Sequence, residues 1–359
     1  MAIFRSSLAK QSAVKLMGYA AGLLLTVVAG LAQAEVTIAR VFVTEPVVQR
    51  VEIGPGRFIA VGLPGGESGD RYRVEIDVSN QVYRDISAFI VDETNLQKFQ
   101  RRERFSGHGQ QKARTPFVVD YQVMYPAKHY VVLDNTYALM IKKNAVVTTR
   151  MAREMSAELA KNLYDGITAI YSNLKQIFLF RDFNIAVSPC GQVNASSARA
   201  TGDITICTET ISKATGKPGI FLGILMHELG HTLLGLWGLP GADNEDMADE
   251  FAVQYMMRLS GGPELVKQFA EFFAGGNPWL EARTIIQSGD RHTISTQRIR
   301  NLAAWSRDAN ELVQRWNRLI YPNMTDNALR KFEASPGKYD DRELAGSELR
   351  KRGVSQAIR

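Results

Sequence analysis

Cysteine is scarce in this 359-residue chain, where Cys190 and Cys207 are the whole inventory, and histidine occurs only five times. No cysteine lies near the N-terminal apolar run, which argues against a lipid-modified cysteine anchor. Neither sign of charge is in great excess, since 43 basic residues face 37 acidic ones for a formal net charge of +6. That balance gives no electrostatic reason to expect nucleic acid or a strongly acidic partner. Long apolar runs are few, so a chain with multiple membrane spans is excluded. What is abundant is apolar composition, 45% of the chain. It is too high for a disordered protein and, over this length, allows a sizeable core and two domains.

One apolar run is N-terminal. Arg5, Lys10 and Lys15 precede the uncharged stretch Leu16 to Ala32, and Ala32-Gln33-Ala34 follows as a small-residue site. Basic region, apolar region and A-x-A site together predict a signal peptide over 1–34, cut after Ala34, and a periplasmic or secreted mature chain. Seventeen uncharged residues also sit at the lower limit for an uncleaved anchor. Cleavage removes three basic residues and no acidic ones, leaving 40 against 37, about +3. Export carries Cys190 and Cys207 into an oxidising compartment together, so a bridge between them is expected, with two buried free thiols as the alternative.

The chemistry concentrates in Met226-His227-Glu228-Leu229-Gly230-His231, inside the apolar run from Phe221 to Trp237. Four residues separate the two histidines, about one helical turn, so both imidazoles project from one face and can close on one metal ion. Zinc suits this H-E-x-x-H pattern, and Glu228 lies one position round the helix where a bound water would sit. A catalytic metal needs a third protein ligand and an open position. Fourteen residues after His231, Glu245 offers that ligand, with Asp249 one turn further on the same face. The flanking leucines and isoleucines place the helix in a core, where two histidines and a glutamate are costly unless a metal or a fully satisfied polar cluster compensates them.

Elsewhere the chain reads as α+β. From Val36 to about Lys142 the signal is strand, clearest over Arg71 to Val78, where Tyr72, Val74, Ile76 and Val78 alternate with charged residues. Similar runs at Val36 to Val43, Arg57 to Val61, Ile86 to Val91, Phe117 to Val123 and His129 to Leu133 predict an antiparallel sandwich-like domain over 35–145. The basic stretch Gln100 to Pro116 reads as a solvated loop, and His108 and His129 as ordinary surface or strand residues. An amphipathic helix from Thr148 to Ile177 opens a mostly helical domain over 146–322, and the charged segment 323–359 reads as a flexible tail. Phe183 to Val187 and Asp203 to Thr208 are expected to pair as a hairpin that brings Cys190 near Cys207. Ile204 to Thr208 is then the candidate strand for binding extended substrate.

His227-Glu228-x-x-His231 followed by Asn244-Glu245-x-x-x-Asp249 resembles the gluzincin zinc peptidases, the thermolysin-like group, with a shorter linker here. Pro189-Cys190-Gly191, Asn194-Ala195, Ile204-x-Ile206-Cys207-x-Glu209, Leu239-Pro240 and Glu245-Asp246-x-Ala248-Asp249 add a closer likeness. Over about residues 180 to 310 the chain is similar to a zinc metallopeptidase family of uncharacterised bacterial exported proteins. The resemblance implies a zincin-like fold, zinc on His227, His231 and Glu245, Glu228 as general base, and Asp249 as the carboxylate that orients a ligand histidine. Asp290-Arg291-His292 with Arg298-Ile299 is similar to a His and Arg-Ile stretch of the integral-membrane CAAX-type peptidases. That likeness implies His292 as a donor to the developing oxyanion, or as a helix cap, and Arg298 as a support behind the ligands.

The expected activity is zinc-dependent hydrolysis of peptide bonds in the periplasm or outside the cell, on a peptide, a protein or a cell-envelope component. No nucleic acid partner is expected, and no stable membrane span after signal cleavage. A second reading is an envelope-binding module whose zinc site is structural or pseudo-enzymatic. A structural zinc normally has four protein ligands and no use for a carboxylate beside an open position.

Overall fold

A computed structural model describes residues 35–79, 83–274 and 295–354, and the expected signal segment lies outside them. The chain forms two compact units: Arg40–Ser156 with Pro189–Val193, and the described residues of 1–39, 157–188 and 194–359. The architecture is mixed α+β.

The first described strand, β1 (Val36–Ile38), belongs to the second of these units. The β-rich unit then runs β2 (Val41–Val43), β3 (Val47–Ile53), β4 (Phe58–Gly62), β5 (Arg71–Val78), β6 (Asp85–Asp92) and α1 (Glu93–Gln100). It continues with β7 (His108–Arg114), β8 (Phe117–Gln122), β9 (His129–Asp134) and β10 (Lys143–Glu154). One antiparallel sheet has the order β2-β10-β5-β8, with β3 also on β10; the other has the order β4-β9-β6-β7. β10 is long enough to pair β3 along Lys143 to Thr149 and β2 along Ala152 to Glu154.

Strand alternation decides the core. Tyr72, Val74, Ile76 and Val78 of β5 are buried against Ile86, Ala88 and Ile90 of β6 and Val131 and Leu133 of β9. Burying an aliphatic side chain of this size contributes about 1.5–3 kcal/mol. The other face of the β6–β9 sheet carries Phe89, Val91 and Val132, which α1 covers with Leu96 and Phe99. Asp92 caps α1, its Oδ1 accepting from Asn95 N at 2.7 Å.

Two expectations are corrected in this unit. The helix does not start at Thr148: residues 143–154 are β10, and the helix begins at Ala157. Val146-Val147-Thr148-Thr149 is a β-branched run, which favours strand, and Met151 and Met155 fitted a helical stripe only by coincidence of spacing. The basic stretch Gln100 to Pro116 is not all loop, because His108–Arg114 forms β7 at the sheet edge. Its polar, charged and exposed side chains suit an edge that must not recruit further strands. His108 and His129 are strand residues, on β7 and β9, and His129 is buried, with Nδ1 3.0 Å from Ala127 O and its ring against Tyr72 and Tyr121.

In the other unit, α2 (Ala157–Ile177) buries Leu163, Ile167, Ile170 and Leu174 along one stripe. A four-stranded sheet follows, in the order β1-β11-β13-β12, from β11 (Ile185–Ser188), β12 (Ala195–Ser197) and β13 (Ile204–Cys207). β11 and β13 are parallel rather than the expected hairpin, with Ser188 opposite Cys207, because β12 takes the antiparallel place beside β13. The Cys190–Cys207 disulfide is nevertheless formed. The same topology corrects the substrate-strand expectation. β13 is paired on both sides, whereas β12 pairs only with β13 among the described residues.

The remaining helices are α3 (Thr208–Lys213), α4 (Pro218–Leu236), α5 (Glu245–Met257), α6 (Gly262–Phe272), α7 (Ser295–Arg307) and α8 (Ala309–Ile320). After them come α9 (Asp326–Ala334) and α10 (Arg342–Lys351). These last two occupy the segment expected to be a flexible tail. Their apolar residues are sparse but sit at helical spacing, so Ala328, Leu329, Ala345 and Leu349 are buried. Thr325 and Asp341 supply N-caps, and Arg352 donates to Met324 O at 2.8 Å and Asp326 Oδ1 at 2.9 Å.

Candidate metal centre

α4 is the central helix of its unit. Its length and apolarity would let it cross a membrane by composition alone, yet nearly every residue from Gly219 to Leu234 is buried. Burial on all sides requires small residues where neighbours approach. A Cβ on Gly223 would lie 2.3 Å from Phe269 Cγ of α6, and one on Gly230 would lie 3.1 Å from Ala248 Cα of α5. Gly230 sits between the two histidines of the motif, so its missing side chain lets α5 come close enough to present Glu245.

The chain then turns sharply. Gly238 has φ +66°, and Leu239 N donates to Leu234 O at 3.0 Å, a glycine-terminated helix end. Asn244 caps α5, its Oδ1 accepting from Met247 N at 3.0 Å, which makes Glu245 the first helical residue. A carboxylate there is favoured by the helix dipole as well as by its neighbours.

His227, His231 and Glu245 converge. The two Nε2 atoms are 3.1 Å apart, Glu245 Oε2 is 3.1 Å from His227 Nε2, and Glu245 Oε1 is 3.3 Å from His231 Nε2. Ligands at the corners of a tetrahedron with bonds of about 2.0–2.1 Å stand roughly 3.3 Å apart, so these separations fit one small divalent ion. Each imidazole is oriented from behind: His227 Nδ1 is 2.8 Å from Asp249 Oδ1, and His231 Nδ1 is 2.6 Å from Ala242 O. Both acceptors call for a proton on Nδ1, which leaves the Nε2 lone pairs facing each other and the carboxylate. That cluster is favourable around a cation.

The electrostatics agree. Burial disfavours a charged His227, but Asp249 and Glu245 outweigh it and push its pKa up to about 9. Burial would raise the Glu245 and Asp249 carboxyls, yet the histidines hold Glu245 far below the usual range, and Arg298 with His227 lowers Asp249. The site therefore favours positive charge at the Nε2 positions, which a divalent cation would supply. Arg298, on α7, donates Nε to Asp249 Oδ2 at 2.7 Å and Nη2 to Asp249 Oδ1 at 2.6 Å. Its guanidinium lies 4.1 Å over the Phe273 ring, and Nη1 is 3.8 Å from Glu245 Oε2.

Glu228 is buried in the same helical turn as His227, and its charge is one of those that keep Arg298 protonated. His292 lies outside the described residues. Cys190, Cys207 and Glu209 also approach one another, but with both sulfurs in a disulfide no thiolate is available to bind a metal. Three participants had no sequence signal strong enough to find them. The Ala242 carbonyl is backbone, Phe273 is one aromatic among many, and Thr232 acts through tertiary contacts. The Thr232 hydroxyl donates to Gly202 O at 3.0 Å and meets Ser197 Oγ at 2.7 Å, tying β12 to α4.

A cleft of about 480 Å³, lined by Leu239 and Gly241 to Asp246, borders Glu245. A larger one, about 540 Å³, lies on the β-rich unit among Arg71, Arg73, Tyr121 and Arg150, and brings no metal-ligating set together.

Residues 146–312 match the family described as "Putative metallopeptidase". The matched stretch contains all three converging ligand residues, Glu228, Asp249 and Arg298. No curated protein matches the chain. Among solved structures, the chain is similar to PliG of Aeromonas hydrophila, a periplasmic lysozyme inhibitor of g-type lysozyme, at 7% identity over 33% of this chain and 97% of that one, with a TM-score of 0.22. It is also similar to the cyanophage Pam1 capsid asymmetric unit, at 14% identity over 36% of this chain and 94% of that one, with a TM-score of 0.20. Likenesses that shallow carry no argument about fold or function.

Proposed function

We propose that this chain is a zinc-dependent peptidase of the periplasm or the extracellular space, with His227, His231 and Glu245 as metal ligands and Glu228 as general base. The observation that carries the reading is the convergence of two Nδ1-anchored imidazoles and one carboxylate within 3.3 Å of one another in a buried site. When bound, the metal supplies a Lewis acid that lowers the pKa of water and polarises a scissile carbonyl.

The chain's own residues do the rest. Glu228 accepts the proton of the attacking water and returns it to the leaving amine. Asp249 and the Ala242 carbonyl hold the two histidines in the tautomer that turns Nε2 inward. Arg298 keeps Asp249 ionised and fixed in place. Among the described residues β12 has a strand on one side only, which leaves an edge for an extended peptide to join by strand addition, and the Ser197–Thr232 contact links that strand to the helix bearing the histidines.

Glu228→Gln tests the reading. The variant should retain one zinc per chain by metal analysis while losing hydrolysis of a denatured protein substrate by about 10²–10⁴-fold. Full activity in that variant would remove Glu228 from the mechanism.

A further inference from the structure

The two parallel bonds from Arg298 to Asp249 fix the guanidinium within its own plane, but that plane can still swing about the line of the bonds. The swing matters. Arg298 Nη1 stands 3.8 Å from Glu245 Oε2, so the same motion would carry positive charge toward or away from a second group of the site. With 9% of its side chain exposed, Arg298 has little water around it, and what covers its faces decides where it rests.

One face is covered by Phe273. Arg298 Cζ lies over that ring, 4.1 Å from its centroid, where the π face attracts the cation and stops the swing on that side. Phe273 is itself held. It follows the last turn of α6, its N–H donating to Ala270 O at 3.2 Å, and its ring meets Phe269 and Phe272 edge to face at centroid distances of 5.4 and 5.2 Å. Phe269 stands four residues earlier, on the same helix face, and is buried against Gly223 of α4. α6 therefore reaches the histidine-bearing helix through Phe269 and the arginine of α7 through Phe273. Packing alone asks only for apolar bulk at position 273, whereas the cation over it asks for a ring.

We infer that Phe273 is a positioning residue of the metal centre, holding the Arg298 guanidinium in the plane from which it orients Asp249 and faces Glu245. Its role rests on the reading of His227, His231 and Glu245 as zinc ligands, to which it adds a residue without a ligating atom.

Zinc affinity of the chain from residue 35, measured by competition with a chromophoric chelator, tests this. Phe273→Leu and Phe273→Met keep apolar bulk without a π face, and each should raise the zinc Kd about five- to tenfold with an unchanged circular dichroism spectrum. Phe273→Tyr restores the face and should return the Kd to within about twofold of wild type. In an Arg298→Lys background no planar fork remains to be held, so Phe273→Leu should add less than about twofold there. Wild-type Kd in both ring-less variants, or loss of the fold in both, would assign Phe273 to packing and overturn the inference. So would failure of Phe273→Tyr to restore affinity, or a full additive loss in the Arg298→Lys background. A wild-type chain that takes up no zinc would instead overturn the metal reading, and the inference with it.

Discussion

Arg298 grips both carboxylate oxygens of Asp249, Nε to Oδ2 at 2.7 Å and Nη2 to Oδ1 at 2.6 Å, while Asp249 Oδ1 in turn meets His227 Nδ1 at 2.8 Å. Three helices are tied through this chain of contacts, since His227 is on α4, Asp249 on α5 and Arg298 on α7. The placement of His227, one of the three converging side chains, therefore depends on a helix that contributes none of them.

Arg298→Lys keeps the charge but loses the planar fork, and should weaken zinc affinity about 10–100-fold in competition with a chelator. Activity at saturating zinc should recover in part. If Arg298 only supported folding, thermal stability would fall while zinc affinity stayed at the wild-type value.

The Cys190–Cys207 bridge closes the loop that contains β12. Unreduced protein should yield no alkylated cysteine by mass spectrometry. Replacing both cysteines by serine should cost about 3 kcal/mol by the chain-entropy model, read as a lower denaturant midpoint. Two alkylatable thiols in the unreduced chain would contradict the bridge.

Asp70 is one of the carboxylates in the β-rich unit, with Asp85 and Asp92, whose pKa the fold lowers. It is fully buried, accepts from Gly66 N at 3.1 Å and Glu67 N at 2.9 Å, and is forked by Arg153 at 2.6 and 2.7 Å. Burial would raise its pKa, but Arg153 and the two backbone donors together lower it. A depressed carboxylate stabilises the fold above its unfolded value of about 3.9, and that contribution disappears as pH falls through the lower folded value. Asp70→Asn should cost about 2 kcal/mol at pH 7, discounted because the Arg153 side chain is 42% exposed. The gap between variant and wild type in urea unfolding should narrow below about pH 4.

Gly223→Ala asks whether α4 and α6 can separate. The added Cβ would lie 2.3 Å from Phe269 Cγ and 2.8 Å from Phe269 Cβ, atoms too near the backbone to swing aside. The expected loss is about 1–3 kcal/mol of stability by calorimetry, with zinc content falling as α4 shifts. Unchanged stability would mean that this close packing is not tight in solution.

Much of the site is legible in the sequence. Two histidines four residues apart on an apolar helix, a capped Asn-Glu pair, and a carboxylate one turn further on are local patterns, and helical periodicity turns such spacing into a shared face. Alternation placed β5 over Arg71–Val78 for the same reason. Where two local periods competed, as across Thr148 to Glu154, side-chain spacing was ambiguous and strand pairing with β5 and β2 prevailed.

Other features depend on residues far apart along the chain, and no local period encodes them. The parallel register of β11 with β13, the seating of Arg298 behind Asp249, and the Ala242 carbonyl behind His231 all arise from packing between different parts of the chain, 11 to 49 residues apart. The donor types and their spacing were written in the primary structure. Their separations of about 3 Å, and the charges that hold them there, come from the folded chain, because only packing brings α4, α5 and α7 to one point.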